Sequence, residues 1–517
     1  MIIDIALYKY WGIRIDYTLL NYMDTPELMF ATVSTSQIII GPLVWILYSL
    51  FQVFIFNKIV GKKINSLQKG KLIEAPVFLV IVAALILPIR GGFQEIPINQ
   101  SNVYFSNTMF ANQASVNFIW NFSHSFTYTI DSENPNKRFD DQVAQDIIDK
   151  NRNPLLKRTT DSILTVEKPN VIFIIWESLS AKFVGALGGE KDITSNLNAL
   201  SKEGILFTNF YANGDRTDKG IPAILSGYYP QTTASIIKLP NKSRTLPIIT
   251  SHMTGEGYHT SFYYGGDLNF GNMNTYLRNG GVSKFVDGSE FDEKDWSSKW
   301  GAFDHVFMER LSKDLSGEQQ EPFFTIALTL SSHEPFDVPT YKFGKDSETN
   351  MFRSAHAYTD ETIGKFIKNA KKQPWWDNTL IVILADHGHA IPKHEGVYNS
   401  PLKFKIPMLW LGGAIKNKGT TVSTIGGQTD LTYTLASVLG HNPEKFTFGK
   451  NLFIDSETQY AHFIYNNGFG TVDKNGYIVY DYVGDRIIEK KGTSAQRLDS
   501  LGKALTQNAY QDFIDRK

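Results

Sequence analysis

LIVILADHGH, residues 380–389, runs six apolar residues straight into an aspartate and a histidine. An unbroken apolar run of this length, rich in Ile and Val, reads as a strand buried on both faces, as in a mostly parallel sheet. The carboxylate and imidazole that end it then stand on the rim of that sheet. The same form recurs in VIFIIWES (171–178). Further apolar runs are LFTNFYA (206–212), TSFYYG (260–265), FFTIALTL (323–330) and PMLWLG (407–412). Helical patterns fall between them: LPIITSHMTGEG (246–257), with proline near its start and a glycine stop, SAHAYTDETIGKFIKNAKK (354–372) and QTDLTYTLASVLG (428–440). The alternation predicts an α/β domain over residues 168–445.

The flanks read differently. Residues 446–517 hold strands separated by Asn, Gly and Asp turns, then a helix; this is a small C-terminal subdomain with an antiparallel sheet. Residues 91–167 are polar and mixed, and read as a linker with a helix around Asp140–Lys150. Residues 1–90 read as a membrane region with two transmembrane helices, about 38–57 and 73–90. IIIGPLVWILYSLFQVFIF (38–56) is 19 residues without a charge, close to the roughly 20 needed to span. The intervening NKIVGKKINSLQKGK carries five lysines and no acid, so it is expected in the cytoplasm, with both outer flanks across the membrane. Residues 1–20 lack the basic start and apolar stretch of a signal peptide. A chain that begins outside needs a route there, so further transmembrane helices are expected upstream of this sequence.

The 517 residues carry 51 Lys+Arg against 52 Asp+Glu. That balance leaves no electrostatic footprint for nucleic acid, and none is expected as a partner. There is no cysteine, which removes disulfides, thiolate metal sites and cysteine nucleophiles. The aromatic share of 13% suits a protein that meets lipid or sugar, and would equally suit a Phe-rich core.

Ligands of open α/β sheets sit beyond the carboxyl ends of the strands. Glu177 ends one apolar run, Asp386 and His387 another, and Ser331-Ser332-His333 a third. Thr217, in GDRTDKG, follows LFTNFYA. Taken singly each has an ordinary reading: a helix cap, a turn residue, a core histidine. Together they make a set of hard oxygens plus one imidazole, suited to magnesium, manganese or zinc. A threonine oxygen beside such an ion can become a nucleophile.

NVIFIIWESLSAKFVGALGG, GDRTDKGIPAILSG, LTLSSHEPF and ILADHGHAIPKHEG make residues 168–450 resemble the alkaline phosphatase/sulfatase superfamily, and within it the lipoteichoic acid synthase-like phosphoglycerol transferases. The resemblance implies an alkaline phosphatase-like sandwich behind a multi-pass membrane region of five helices, with the catalytic domain outside the plasma membrane. It implies that Glu177, Thr217, Asp386 and His387 hold one divalent metal ion, Mn2+ or Mg2+ with Zn2+ as the alternative. Thr217 would be the nucleophile and His333 a phosphate contact. The implied reaction moves a phosphoglycerol-type group from a phospholipid headgroup to an alcohol on a glycan or glycolipid, through a phospho-threonine. Threonine at the nucleophile position excludes the formylglycine sulfatases. A phosphoethanolamine transferase and a phosphodiesterase or sulfatase-like hydrolase are the alternatives. An inactive binding protein is the reading of another class, against which the intact set of four argues.

One segment departs from the pattern. Where the glycerol phosphate-binding members carry Phe-Trp-Asn-Arg, this chain has Phe270-Gly271-Asn272-Met273. Arg216, Lys219 and Arg278 are then the candidates for binding phosphate. Asp267 and Asn269 are candidate headgroup contacts, and an acidic Asp267 suits an amine or sugar hydroxyls. His394 is expected to assist, and a second metal on His389 or His394 is the further option.

Overall fold

The computed structural model describes residues 4, 14–15, 35–64, 74–94, 96–106, 108–126, 133–152, 163–298, 300–317 and 319–516. Most of residues 1–20, part of the lysine loop and the start of the second expected span lie outside the described residues. The chain divides into two compact units, Met1–Ile130 and Asp131–Lys517, so the boundary falls within the stretch read as a linker.

In the first unit α1 (Thr35–Phe56) continues through a π-helical turn to Gly61. Ile39–Gly61 is the one helix among the described residues long and apolar enough to cross a membrane, and none of it is buried. Its 23 residues reach about 34 Å at 1.5 Å each, beyond the ~30 Å of a hydrocarbon core. The second expected span is shorter than a spanning helix. It consists of α2 (Ala75–Ala84) and α3 (Ile86–Arg90). Glu74 bounds it at one end, and Gly91, at φ 95°, ends it at the other. Two short helices follow, α4 (Met109–Ser115) and α5 (Phe118–Ser125). Amide side chains hold this part together: Asn117 caps α5 through the N–H groups of Ile119 and Trp120, Gln113 donates to Tyr104 Oη, and Asn121 donates to the Ile15 carbonyl.

The second unit is built on an eight-stranded sheet. Its strands are β1 (Asn170–Trp176), β2 (Ile205–Phe207), β3 (His259–Tyr264), β4 (Lys284–Val286), β5 (Phe323–Leu328), β6 (Thr379–Ala385), β7 (Met408–Leu411) and β8 (Thr420–Val422). Their order is β8-β2-β7-β6-β1-β5-β3-β4. Only β7 runs against the rest, so the carboxyl ends of the others share one rim. Every residue of β1, β5 and β6 is buried, as their unbroken apolar runs require. All six runs read from sequence enter strands. LFTNFYA divides: Ile205–Phe207 joins the main sheet, while Phe210–Tyr211 pairs with Gly426–Gly427. The edge strands β4 and β8 were not expected, being three residues each and partly exposed. This is the alkaline phosphatase-like α/β fold.

Four antiparallel strands follow: β9 (Ala461–Tyr465), β10 (Gly468–Asp473), β11 (Gly476–Asp481) and β12 (Arg486–Gly492). The last helix, Ala495–Asp515, lays Leu498, Leu501, Leu505 and Ala509 on Phe469, Ile478 and Tyr480. The helix Asp141–Asn151 adds Ile147 and Ile148 to the same cluster. Gln507 accepts the backbone N–H groups of Arg138 and Phe139 just before it.

Candidate metal and nucleophile site

The register of the central strands builds the site. β1 and β6 pair with Trp176 opposite Ala385, so Glu177 and Asp386 leave the sheet side by side. Both are buried, as is His387. The turn after β1 is tight: Ser178 sits at φ 60°, a strained angle for a residue other than glycine. The strain is held by the acids themselves. Ser178 donates its N–H to Asp386 Oδ1 at 2.8 Å and its Oγ–H to Glu177 Oε1 at 2.7 Å. Thr329, just past β5, accepts the Glu177 N–H, and Ser332 donates to the Glu177 carbonyl.

Thr217 is the first residue of the helix Thr217–Ser226, and Arg216 stands at its N-cap. The threonine hydroxyl therefore does not cap the helix. It donates to Glu177 Oε2 at 3.1 Å. Gly220, one turn on, allows this approach, because a Cβ there would lie 2.1 Å from the Asp386 carbonyl oxygen.

The imidazole of His387 turns Nδ1 to the Gly388 carbonyl at 2.9 Å. Nδ1 is then the donor, and the lone pair of the neutral ring lies on Nε2. Nε2 faces Glu177 Oε1 at 3.3 Å and Asp386 Oδ2 at 3.6 Å. Burial and the neighbouring charge of Glu177 push Asp386 up. Burial works against charge on Glu177 as well, but the hydrogen bond and charge of His387 outweigh it and hold that carboxyl well below the usual range. Burial also opposes charge on His387, yet Asp386 and Glu177 raise it to about 10.

This donor set fits a divalent cation. Asp386 Oδ2 is buried without a hydrogen-bond partner, a costly state for a carboxylate oxygen unless a cation meets it. Ligand atoms of Glu177, Asp386 and His387 lie within 4.8 Å of one another, and the Thr217 oxygen borders them. Two carboxylates, one imidazole and a hydroxyl suit Mg2+, Mn2+ or Zn2+.

The remaining expected residues scatter. His333 is half-buried at the rim; its Nδ1 faces the Glu334 carbonyl at 3.0 Å, and its charge helps hold Glu177 low. Arg216 is exposed beside Thr217. Asp267 is exposed and accepts the Asn269 N–H. His394 contacts the Glu395 carbonyl and Ser400, and no hydrogen bond among the described residues links it to the acids. His389 accepts the Ile391 N–H and packs on Phe352. Lys219 pairs with Asp215 at 3.1 Å. Arg278 bonds Asn274 and stacks on Phe285.

Sequence reasoning missed two participants. Ser178 was in view in WES, but its left-handed backbone leaves no mark in the sequence. Trp300 carried no signal at all: its ring lies 4.3 Å from that of His333 and 5.8 Å from that of Phe270, and its Nε1–H donates to the Glu334 carbonyl at 2.7 Å. An aromatic wall thus stands beside His333, built from a segment distant in sequence.

A profile of the Sulfatase family matches residues 169–441. The chain belongs to that family. It is 26% identical over 317 residues to lipoteichoic acid synthase 2 of Bacillus subtilis, covering 56% of this chain and 48% of that one. It is 27% identical over 357 residues to lipoteichoic acid synthase of Staphylococcus aureus, covering 63% and 52%. The chain spans about half the length of these curated relatives. Among solved structures, an alkaline phosphatase superfamily protein of Vibrio parahaemolyticus superposes with a TM-score of 0.63 at 26% identity, covering 74% of this chain and 98% of that one. The lipoteichoic acid synthase LtaP of Listeria monocytogenes gives 0.58 at 19% identity, covering 72% and 98%, and shares the fold.

Proposed function

We propose that this chain is a membrane-anchored, metal-dependent phosphotransferase that moves a phosphoglycerol-type group from a phospholipid headgroup to an acceptor alcohol. The observation that carries this reading is the Thr217 hydroxyl at the start of its helix, 3.1 Å from Glu177 Oε2 and beside the orphaned Asp386 Oδ2. The similarity to lipoteichoic acid synthases supports the substrate class. Glu177, Thr217, Asp386 and His387 would hold the cation, Mn2+ or Mg2+ with Zn2+ as the alternative. When bound, it lowers the hydroxyl pKa and offsets phosphate charge.

The chain's own groups supply the rest. The helix that begins at Thr217 aims free N–H groups and its positive end at a phosphoryl group. Thr217 Oγ attacks phosphorus, and the bond to the diacylglycerol oxygen breaks. With Nδ1 on the Glu334 carbonyl, a protonated His333 presents Nε2–H to that leaving oxygen. The acceptor alcohol, on a glycan or glycolipid, then attacks the phospho-threonine and frees Thr217. Arg216, beside the nucleophile, is the nearest flanking cation in sequence for phosphate. The lipid donor places the enzyme at the plasma membrane, with the catalytic unit outside and a multi-pass membrane region that includes the helix at 39–61 and the apolar segment at 75–90.

A second reading rests on the loop at 270–273. Gly271 and Asn272 are successive left-handed residues, at φ 58° and 63°, where no tryptophan or arginine side chain is offered. That favours a different headgroup on the same chemistry, as in a phosphoethanolamine transferase. The test is mass spectrometry of the purified protein after incubation with phosphatidylglycerol and phosphatidylethanolamine together. A glycerol phosphate adduct on Thr217 supports the first reading and an ethanolamine phosphate adduct the second. A protein with metal bound, and no adduct at Thr217 with either lipid, sinks both.

A further inference from the structure

Residues 96–130 contain no Asp, Glu, Lys or Arg, although 20% of the whole chain is charged. Such a stretch on a surface bathed in water is unusual, because charged side chains ordinarily supply its solubility. The structure shows what replaces them. Phe105 is 65% exposed, Ile119 61% and Phe126 45%, and Phe93 just upstream is 87% exposed. The polar residues among them are amides, hydroxyls and one imidazole, His124, whose burial disfavours its charged form. Several are buried: Asn112 accepts the Phe105 N–H, Gln113 donates to Tyr104 Oη, Asn121 donates to the Ile15 carbonyl, and Ser101 is buried with its N–H on the Asn99 side chain. Arg14 is directed to Asp4 and to the Val116 carbonyl, so it adds no free charge there.

Large apolar side chains exposed, several amides buried, and no acidic, lysine or arginine side chain is the composition of a membrane interface rather than of a protein surface in water. The same compact unit contains the exposed apolar helix Ile39–Gly61, and only a short turn separates Arg90 from Phe93. We propose that residues 96–126 lie in the interfacial layer of the bilayer, with Phe105, Ile119 and Phe126 among its acyl chains and Phe93 flanking them. The occupant is lipid, and the inference rests on the membrane reading of the helix at 39–61. It goes beyond that reading by adding a second, non-spanning contact. The helices Met109–Ser115 and Phe118–Ser125, of 7 and 8 residues, are far too short to cross.

The absence of cysteine makes the test direct. Single-cysteine variants of the full chain, Phe105→Cys and Ile119→Cys, are labelled with an environment-sensitive NBD probe and reconstituted in phosphatidylcholine–phosphatidylglycerol vesicles. Phe51→Cys reports the spanning helix, and the exposed Lys418→Cys reports water. The expected result is blue-shifted emission at 105 and 119, quenching by lipids spin-labelled near the headgroup, and little quenching by iodide. Emission and iodide quenching like those at position 418 overturn the inference. So does shielding from both quenchers, which means that protein covers these residues. With Phe51→Cys quenched by deep spin labels, either failure leaves the membrane reading intact. If Phe51→Cys also behaves as in water, both readings fall together.

Discussion

The hydroxyl of Thr217 is bonded to Glu177 Oε2, and through that bond the first residue of a helix is tied to the end of the central strand. The bond directs the hydroxyl proton to the carboxylate and leaves the oxygen's lone pairs for other partners. The helix cap falls instead to Arg216, whose side chain does not cap.

Thr217→Ala is therefore expected to remove turnover, by about 10^3-fold or more for a lost nucleophile, while stability changes by only about 1 kcal/mol, the worth of one hydrogen bond. Thr217→Ser keeps the oxygen and retains measurable activity. Headgroup release from vesicles and a denaturant titration check the two halves separately. A folded Thr217→Ala protein with substantial turnover contradicts the nucleophile role.

Asp386→Asn separates metal affinity from folding. The carboxamide oxygen can still accept the N–H groups of Ser178 and His387 that now reach Oδ1. The lost charge relieves the repulsion with Glu177 that pushes Asp386 up. In chelator the variant is expected to melt no lower than the wild type. Adding Mn2+ raises the wild-type melting temperature and leaves the variant's unchanged. Equal Mn2+ shifts in the two proteins would place the cation elsewhere.

Much of this site was legible in the sequence for one physical reason. A strand buried on both faces must be apolar throughout, so a polar residue at its end marks the rim. That logic located Glu177, Asp386 and His387, and the register of β1 against β6 brings them together. It could not place Trp300 or Asp267, because irregular segments carry no period that fixes where a side chain lands. The two three-residue edge strands were missed on the same ground. The second apolar segment is legible in part: its composition suits a membrane, and its described helical residues run from Ala75 to Arg90, with Gly91 ending them.

Acid sensitivity should trace partly to His462. The ring is fully buried, between the Thr471 and Thr506 hydroxyls, and burial lowers its pKa to about 3. The unfolded chain binds a proton near pH 6.5, and the folded protein resists doing so. The unfolded state therefore holds more protons between about pH 3 and 6.5. This contribution is fully present above pH 6.5 and is lost as pH falls, by at most about 1.4 kcal/mol per pH unit. His462→Gln, a less stable protein at pH 7.5, is expected to show a flatter stability profile from pH 6.5 to 4.5. Parallel profiles for variant and wild type in urea unfolding assign the acid sensitivity to other groups.

The aromatic wall at the rim gives the sharpest test of substrate choice. Gly271 at φ 58° sits against the helix of the nucleophile, with a Cβ there reaching 3.5 Å from Asp218 Cβ. The loop is thus turned backbone-first toward Asp218. Trp300 supplies an aromatic surface beside it, packed on Phe270 and His333 and fixed by its bond to the Glu334 carbonyl. A wall of this kind meets bound lipid and transition state alike, so Trp300→Ala is expected to raise KM by about 3- to 10-fold with kcat little changed. Trp300→Phe recovers part of the loss. Asp267 is exposed and held by the Asn269 N–H, and a carboxylate there suits an amine. Asp267→Ala is therefore expected to lower kcat/KM for phosphatidylethanolamine and to leave that for phosphatidylglycerol unchanged. If phosphatidylglycerol is preferred and Asp267→Ala moves neither value, the loop takes no part in choosing the headgroup, and selectivity rests with the wall. If Trp300→Ala lowers kcat at constant KM instead, the ring acts by positioning His333 for the leaving oxygen and not by binding lipid.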